Sequence, residues 1–399
     1  MLVGFALAAY SIVANDSIQT LGTFLSSNHK RPWWILWAWI SSILVVTVLW
    51  GWYANGGDPA FGRLDKKGID LPAAFNWLYV VPPLVLVILT RAGIPVSTSL
   101  LVLSAFATLT ALQAGESVDM FEPGGSAGVF SKMLKKSLVG YALAAGVGLL
   151  AYGLVIVTLE RRFHSDAEGR DKPHPAWFVF QWLSTGFLWS MWLVQDLANV
   201  FVYLPRRLNG LYIGLALAGM VLTQAWIIRS GGGKIQKVVS EKTNTVDIRS
   251  ATFIDFLYGM VLLFFKVDYI PKLFASAGWT IPWPPKMPMS TTWVFLGLLA
   301  GRELGMWLRM RHCKGDQLRG FISRDLAKVA FGTAVSVAVA FGIPYAAMQM
   351  GLGKPAVATV AESPDDTENS GQPDITAFPE KQSLATTPTI SGQRMPAVR

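Results

Sequence analysis

A chain of 399 residues that is 52% hydrophobic and only 15% charged is too apolar for an ordinary water-soluble domain. The formal net charge of +9 belongs to the loops between apolar runs, so it bears on membrane orientation and not on nucleic-acid binding. A single cysteine, Cys313, excludes an intramolecular disulfide, and four scattered histidines (His29, His164, His174, His312) offer no metal-ligand spacing.

The first apolar run covers residues 2–25 and is interrupted by Ala14-Asn15-Asp16. It has no basic segment at its start and resumes beyond the aspartate, which argues for a membrane segment over a signal peptide. Residues 32–53 form an uninterrupted run long enough to span. An apolar pair follows over residues 73–112, joined at Pro95-Val96-Ser97-Thr98-Ser99. The last segment of this half, residues 131–159, enters from a basic start whose Lys132 and Lys136 read as interfacial snorkellers.

After a charged stretch the order returns. Residues 177–204 carry Gln195-Asp196-Leu197-Ala198-Asn199, and residues 208–228 span. Residues 251–308 form a pair joined at Pro288-Met289-Ser290-Thr291-Thr292, with an insertion over residues 267–286. Residues 323–350 close the half, beginning near Arg324 and Lys328. The tail, rich in Pro, Ser, Thr, Asp and Glu, is expected to be disordered. The matches also run through Asn76-Trp77-Leu78-Tyr79 against Asp255-Phe256-Leu257-Tyr258 and Phe130-Ser131-Lys132 against Ile322-Ser323-Arg324. Several weak matches in one order amount to an internal repeat. The expected organisation is a first repeat over residues 1–160, a cytoplasmic linker over 161–176, a second repeat over 177–350 and a tail over 351–399.

If each apolar pair is a re-entrant hairpin, each half crosses the membrane three times and the second is inverted. Residues 30–31, 161–172, 229–249 and 309–324 then share a face with roughly 16 Lys/Arg, against 8 at residues 63–67, 132–136 and 206–207. The richer face is expected to be cytoplasmic, with both termini on the other side. The fold class is therefore an all-α polytopic membrane protein of two inverted repeats. Each repeat is expected to hold a broken helix, spanning helices and a re-entrant hairpin.

An aspartate at membrane depth costs about 3 kcal/mol, which makes Asp16 and Asp196 functional candidates. Their amide neighbours Asn15, Gln19, Gln195 and Asn199 add hard oxygen ligands for a cation, or the carboxylates serve a proton. Ser97-Thr98-Ser99 and Ser290-Thr291-Thr292 each follow a proline and open a helical run. A helix N-terminus with hydroxyl donors favours an anion without needing a lysine; simple capping is the plainer reading of either cluster alone. Gly231-Gly232-Gly233-Lys234 lacks the following Ser/Thr of a phosphate-binding loop and reads as a flexible cytoplasmic loop. The tryptophans read mostly as interfacial anchors.

These motifs resemble those of the inorganic phosphate transporter (PiT) family, which carries Gly-Ala-Asn-Asp-Val-Ala-Asn-Ala and Val-Pro-Val-Ser-Thr-Thr-His in each half. Here they stand as Val13 to Thr20 and Ile94 to Leu100, then as Leu193 to Val200 and Met287 to Trp293, continuing into Gly297 and Gly301. Gln181-Trp182-Leu183-Ser184 also resembles the family's opening of the second half. Val13 and Leu193 replace the signature glycines, so the helix breaks are expected to be less unwound. Gln19 and Gln195 replace asparagines, and Leu100 and Trp293 replace histidines.

The resemblance implies a non-enzymatic, cation-coupled (Na⁺ or H⁺) symporter in the cell membrane, plasma or inner, moving inorganic phosphate or a similar tetrahedral oxyanion by alternating access. Asn15, Asp16, Gln19, Gln195, Asp196 and Asn199 would hold the cation; Ser97, Thr98, Ser99, Ser290, Thr291 and Thr292 would hold the anion. No cofactor is expected beyond the coupling ion. The partners are the oxyanion, membrane lipid and a second copy in a homodimer, with no nucleic acid. A sulfate permease of the same family, or a non-transporting sensor or assembly subunit, are the alternatives.

Overall fold

The computed structural model of the protein describes residues 1–64, 69, 71–94, 96–116, 127–153, 173–231, 248–267, 269–285, 287–310 and 315–351. Residues 161–172 of the expected linker (161–176), 232–234 of the glycine loop and 352–399 of the expected tail lie outside them, as do Pro95 and the side chains of Arg324 and Lys328.

Every regular element among the described residues is helical. Helix α1 (Leu2–Ile12) passes through a π turn (Val13–Ser17) into α2 (Ile18–Ser27). The break expected at Asp16 is thus only a widened turn. At Asp196 there is none, because α7 (Ala176–Phe201) runs as unbroken α-helix through the motif. Neither Val13 nor Leu193 has a glycine's backbone freedom, which suits both positions to helix.

Helix α3 (Trp33–Ala54) starts directly after Pro32, a residue that sets φ for a helix start. A 3₁₀ turn (Trp77–Val80), capped by Asn76 Oδ1 on the Leu78 N–H at 3.1 Å, leads into α4 (Val81–Ala92). Gly93, at φ 76°, ends α4 in the left-handed conformation that glycine tolerates best. A second π turn (Ser99–Leu103) opens α5 (Ser104–Gln113), and α6 (Ala127–Ala151) closes the first half.

The second half continues with α8 (Gly210–Arg229), α9 (Ile248–Lys266), short α10 (Tyr269–Ser276), α11 (Thr291–Met310) and α12 (Gly315–Gln349). Asn209 caps α8 by accepting from Tyr212 N at 3.0 Å.

Among the described residues five stretches are long and apolar enough to cross a membrane: Trp33–Ala54, Gly128–Ala151, Gly210–Arg229, Ile248–Lys266 and Val329–Gln349. The two arms of the first pair, Trp77–Ala92 and Ser99–Gln113, rise only about 24 and 22 Å, short of the roughly 30 Å hydrocarbon core. Helices α9 and α11, near 30 Å each, are not short in this way.

Packing between the halves is reciprocal. Helix α6 lies along α11 and α12 along α5, so each half's closing helix rests on the second arm of the other half's pair. Likewise α3 packs on α7, and α8 on α1 and its π turn. The α6–α11 approach is backbone to backbone: a Cβ at Gly301 would sit 2.0 Å from the Ala145 carbonyl oxygen, and one at Gly297 2.4 Å from that of Tyr141.

Two side-chain expectations need correction. Trp33, Trp34 and Trp50 are exposed as interfacial anchors should be, but Trp189 and Trp192 are core residues stacked at 4.9 Å. Lys132 is exposed, whereas Lys136 does not snorkel: it is fully buried, with its ammonium on the Met287 carbonyl at 2.7 Å. Its helix turns that face toward α11, which the basic start of the segment conceals.

Candidate functional site

Two stretches of helix, residues 13–19 and 195–199, meet two helix starts, residues 96–99 and 289–292. All twelve expected site residues are 5% exposed or less.

Ser97 and Ser290 play the same local part. Each hydroxyl oxygen accepts from the backbone N–H three residues on, Leu100 in one half and Trp293 in the other, both at 3.2 Å. The plainer capping reading therefore holds for these two serines. The next residue turns inward. Thr98 Oγ1 donates to Asp16 Oδ2 and Thr291 Oγ1 donates to Asp196 Oδ2, both at 2.5 Å. The two hydrogen bonds match position for position in the two motifs.

Ser99 and Asn199 join the halves. Ser99 Oγ lies 3.2 Å from Asp196 Oδ1 and 3.4 Å from the Met289 carbonyl. Asn199 Nδ2 reaches Thr98 Oγ1 at 3.0 Å and both Ser99 Oγ and Asp196 Oδ1 at 3.1 Å. The first cluster consequently touches both aspartates. Thr292 is buried beside Thr291 at the start of α11.

The amides differ between halves. Asn15 Nδ2 donates to Asp16 Oδ1 at 2.7 Å and to the Val96 carbonyl at 3.2 Å, and Gln19 Nε2 donates to Asn15 Oδ1 at 3.0 Å. Gln195 points its amide away to the Leu262 carbonyl at 3.3 Å. Among the described residues its Oε1 and the Oδ1 of Asn199 are buried acceptors that receive no hydrogen bond. Buried carbonyl oxygens without donors, next to a carboxylate, are the donor set a hard cation takes.

Another carboxylate buried among the helices, Asp255, has no assigned role in the sequence reading. Asp255 on α9 is 1% exposed and accepts from Thr23 Oγ1 and Thr185 Oγ1, both at 2.5 Å. Thr185 in turn accepts from Gln181 Nε2 at 3.3 Å, and Gln181 Oε1 accepts from Asn28 Nδ2 at 2.9 Å. The signal was present: Asp255 stands among Ile254, Phe256 and Leu257, the same setting that marked Asp16 and Asp196.

No protein-family profile matches the chain, and no curated protein matches it. Among solved structures it is similar to a sodium-dependent phosphate transporter, with TM-score 0.53 and 14% identity, over 88% of this chain and 98% of that one. The two share a fold.

Proposed function

We propose that this protein is a cation-coupled symporter of inorganic phosphate or a similar tetrahedral oxyanion, working by alternating access between two inverted repeats. The solved structure whose fold it shares is named for sodium-dependent phosphate transport, which favours phosphate over sulfate and Na⁺ over H⁺. The observation that carries the reading is the matched pair of threonine hydroxyls, Thr98 on Asp16 and Thr291 on Asp196.

Each hydroxyl has one proton to donate and lone pairs to offer. While the carboxylate is bare, that proton goes to the carboxylate. A cation bound at Asp16 or Asp196, with Asn199 and Gln195 oxygens beside it, competes for the same carboxylate oxygens. The threonine proton is then released toward an anion, and the oxygen can face the cation. Two bare buried carboxylates would also repel an incoming phosphate strongly in so apolar a setting. Both effects make cation and anion binding mutually favourable, which is the coupling a symporter needs. Ser99 and Asn199, touching both halves, are placed to relay occupancy of one aspartate to the other. Asp255 is a further carboxylate for this chemistry.

Titration calorimetry of the full chain in detergent, with phosphate and sulfate in saturating Na⁺ and again at low pH without it, tests the reading. Phosphate binding that requires the cation is expected. Binding of neither anion by folded protein under either condition would overturn it and favour the sensor or assembly role.

A further inference from the structure

Lys136 and Ser137 are adjacent on α6, both at 0% exposure, and both grip the segment that leads into α11. The Lys136 ammonium donates to the Met287 carbonyl at 2.7 Å and lies 5.8 Å from the Phe265 ring centroid. Ser137 Oγ accepts from the Ser290 N–H at 2.8 Å while donating to the Met133 carbonyl at 2.7 Å. One turn on, Gly140 lets Val294 and Met289 come close: a Cβ there would lie 3.1 and 3.7 Å from them. The held segment is the one whose Ser290 caps α11 and whose Thr291 donates to Asp196.

Among the described side chains, the first cluster is held by a different contact. It is tied at the Val96 carbonyl by Asn15, from its own half. The register that sets Lys136 against Lys328 sets Ser137 against Val329, which carries no hydroxyl. Gln195, the counterpart of Asn15, is turned to Leu262 and does not hold the second cluster. The second cluster is therefore fixed from the opposite half, by a buried charge and a buried hydroxyl.

We propose that Lys136 and Ser137 are positioning residues that set the second Ser/Thr cluster, so that the closing helix of the first half governs the binding tip of the second. The consequence for ligand affinity rests on the symporter reading; the positioning itself does not. A buried ammonium is costly to keep unless its contacts are used, and a backbone carbonyl in a loop is a target that only correct placement of α6 against α11 supplies. The pair acts on the second cluster alone: disturbing it should loosen residues 287–293 and leave residues 96–103 as they are.

Hydrogen exchange on the full chain, for Lys136→Met and separately for the smaller change Ser137→Ala, reads this directly. Faster exchange confined to 287–293 is expected in both, with Lys136→Arg returning toward wild type. In the same proteins Ser137→Ala should weaken phosphate affinity about tenfold, the scale of one lost buried hydrogen bond, with a smaller change in maximal uptake. Its effect should be non-additive with Ser290→Ala and additive with Ser97→Ala. Unchanged exchange at 287–293, or equal acceleration at both tips, would overturn the proposal. Selective acceleration in a protein that binds no phosphate would uphold the positioning and overturn the symporter reading instead.

Discussion

Replacing Thr291 by Val removes one hydroxyl and keeps the shape of the side chain. Among the described residues Thr291 is the hydrogen-bond donor to Asp196 Oδ2, while Oδ1 keeps Ser99 and Asn199. Asp196 is 0% exposed, so water does not take over the lost bond. A hydrogen bond to a charged group is worth about 1.5–3 kcal/mol, which corresponds to roughly 10- to 150-fold in an equilibrium constant. In the coupling scheme the cation breaks this bond and the freed hydroxyl donates to the anion, so the phosphate half-saturation should rise by about this factor. The assay is phosphate uptake into liposomes across a series of Na⁺ concentrations, beside Thr333→Val. Thr333 bonds only back to the Val329 carbonyl at 2.8 Å, outside the site, and its variant should behave as wild type. If Thr291→Val keeps wild-type half-saturation for phosphate, the Thr291–Asp196 contact is not part of the coupling and the reasoning fails.

Gly301→Ala should destabilise, because its Cβ would meet the Ala145 backbone at 2.0 Å and overpacking of this kind costs about 1–3 kcal/mol or more. Gly214→Ala, with nothing within 4 Å, should stabilise by up to about 1 kcal/mol through helix propensity; thermal unfolding in detergent compares the two. Asp255→Asn should fold, since Thr23 and Thr185 can accept as well as donate, yet lower uptake about tenfold or more; wild-type uptake would make Asp255 merely structural. In a Cys313→Ser background, Gly57→Cys should react with an impermeant thiol reagent from outside intact cells and Ser230→Cys should be protected. Reaction of both from the same side would contradict inverted halves.

The parts of this architecture that were legible in the sequence are those where a polar group stands in an apolar run. Asp16, Asp196 and both Ser/Thr clusters announced themselves that way, and the order of segments around them exposed the repeat. The serine caps were also readable, since a hydroxyl three residues before the first helical N–H is a local pattern. What escaped was set by packing between distant helices. Lys136 sits at the basic start of a segment and looks like a snorkeller; only the approach of α11 brings the Met287 carbonyl within its reach. Ser99 bridging to Asp196, and Asn199 reaching Thr98, depend on the halves meeting face to face. The mild π turn at Asp16 follows from Val13, but that a continuous helix survives at Asp196 is decided by its surroundings. Asp255 is hard to single out in the sequence because it aligns with Asn76, a neutral residue that caps the 3₁₀ turn.

The central claim is that two buried aspartates couple a cation to an oxyanion. Its most direct test is radiolabelled phosphate flux into liposomes holding the purified chain, with Na⁺ and H⁺ gradients imposed separately, for the wild type, Asp16→Asn and Asp196→Asn. The account predicts uphill phosphate entry driven by one of the two gradients in the wild type and lost in both variants. Entry that ignores both gradients, or that survives in either variant with the same cation dependence, would contradict it.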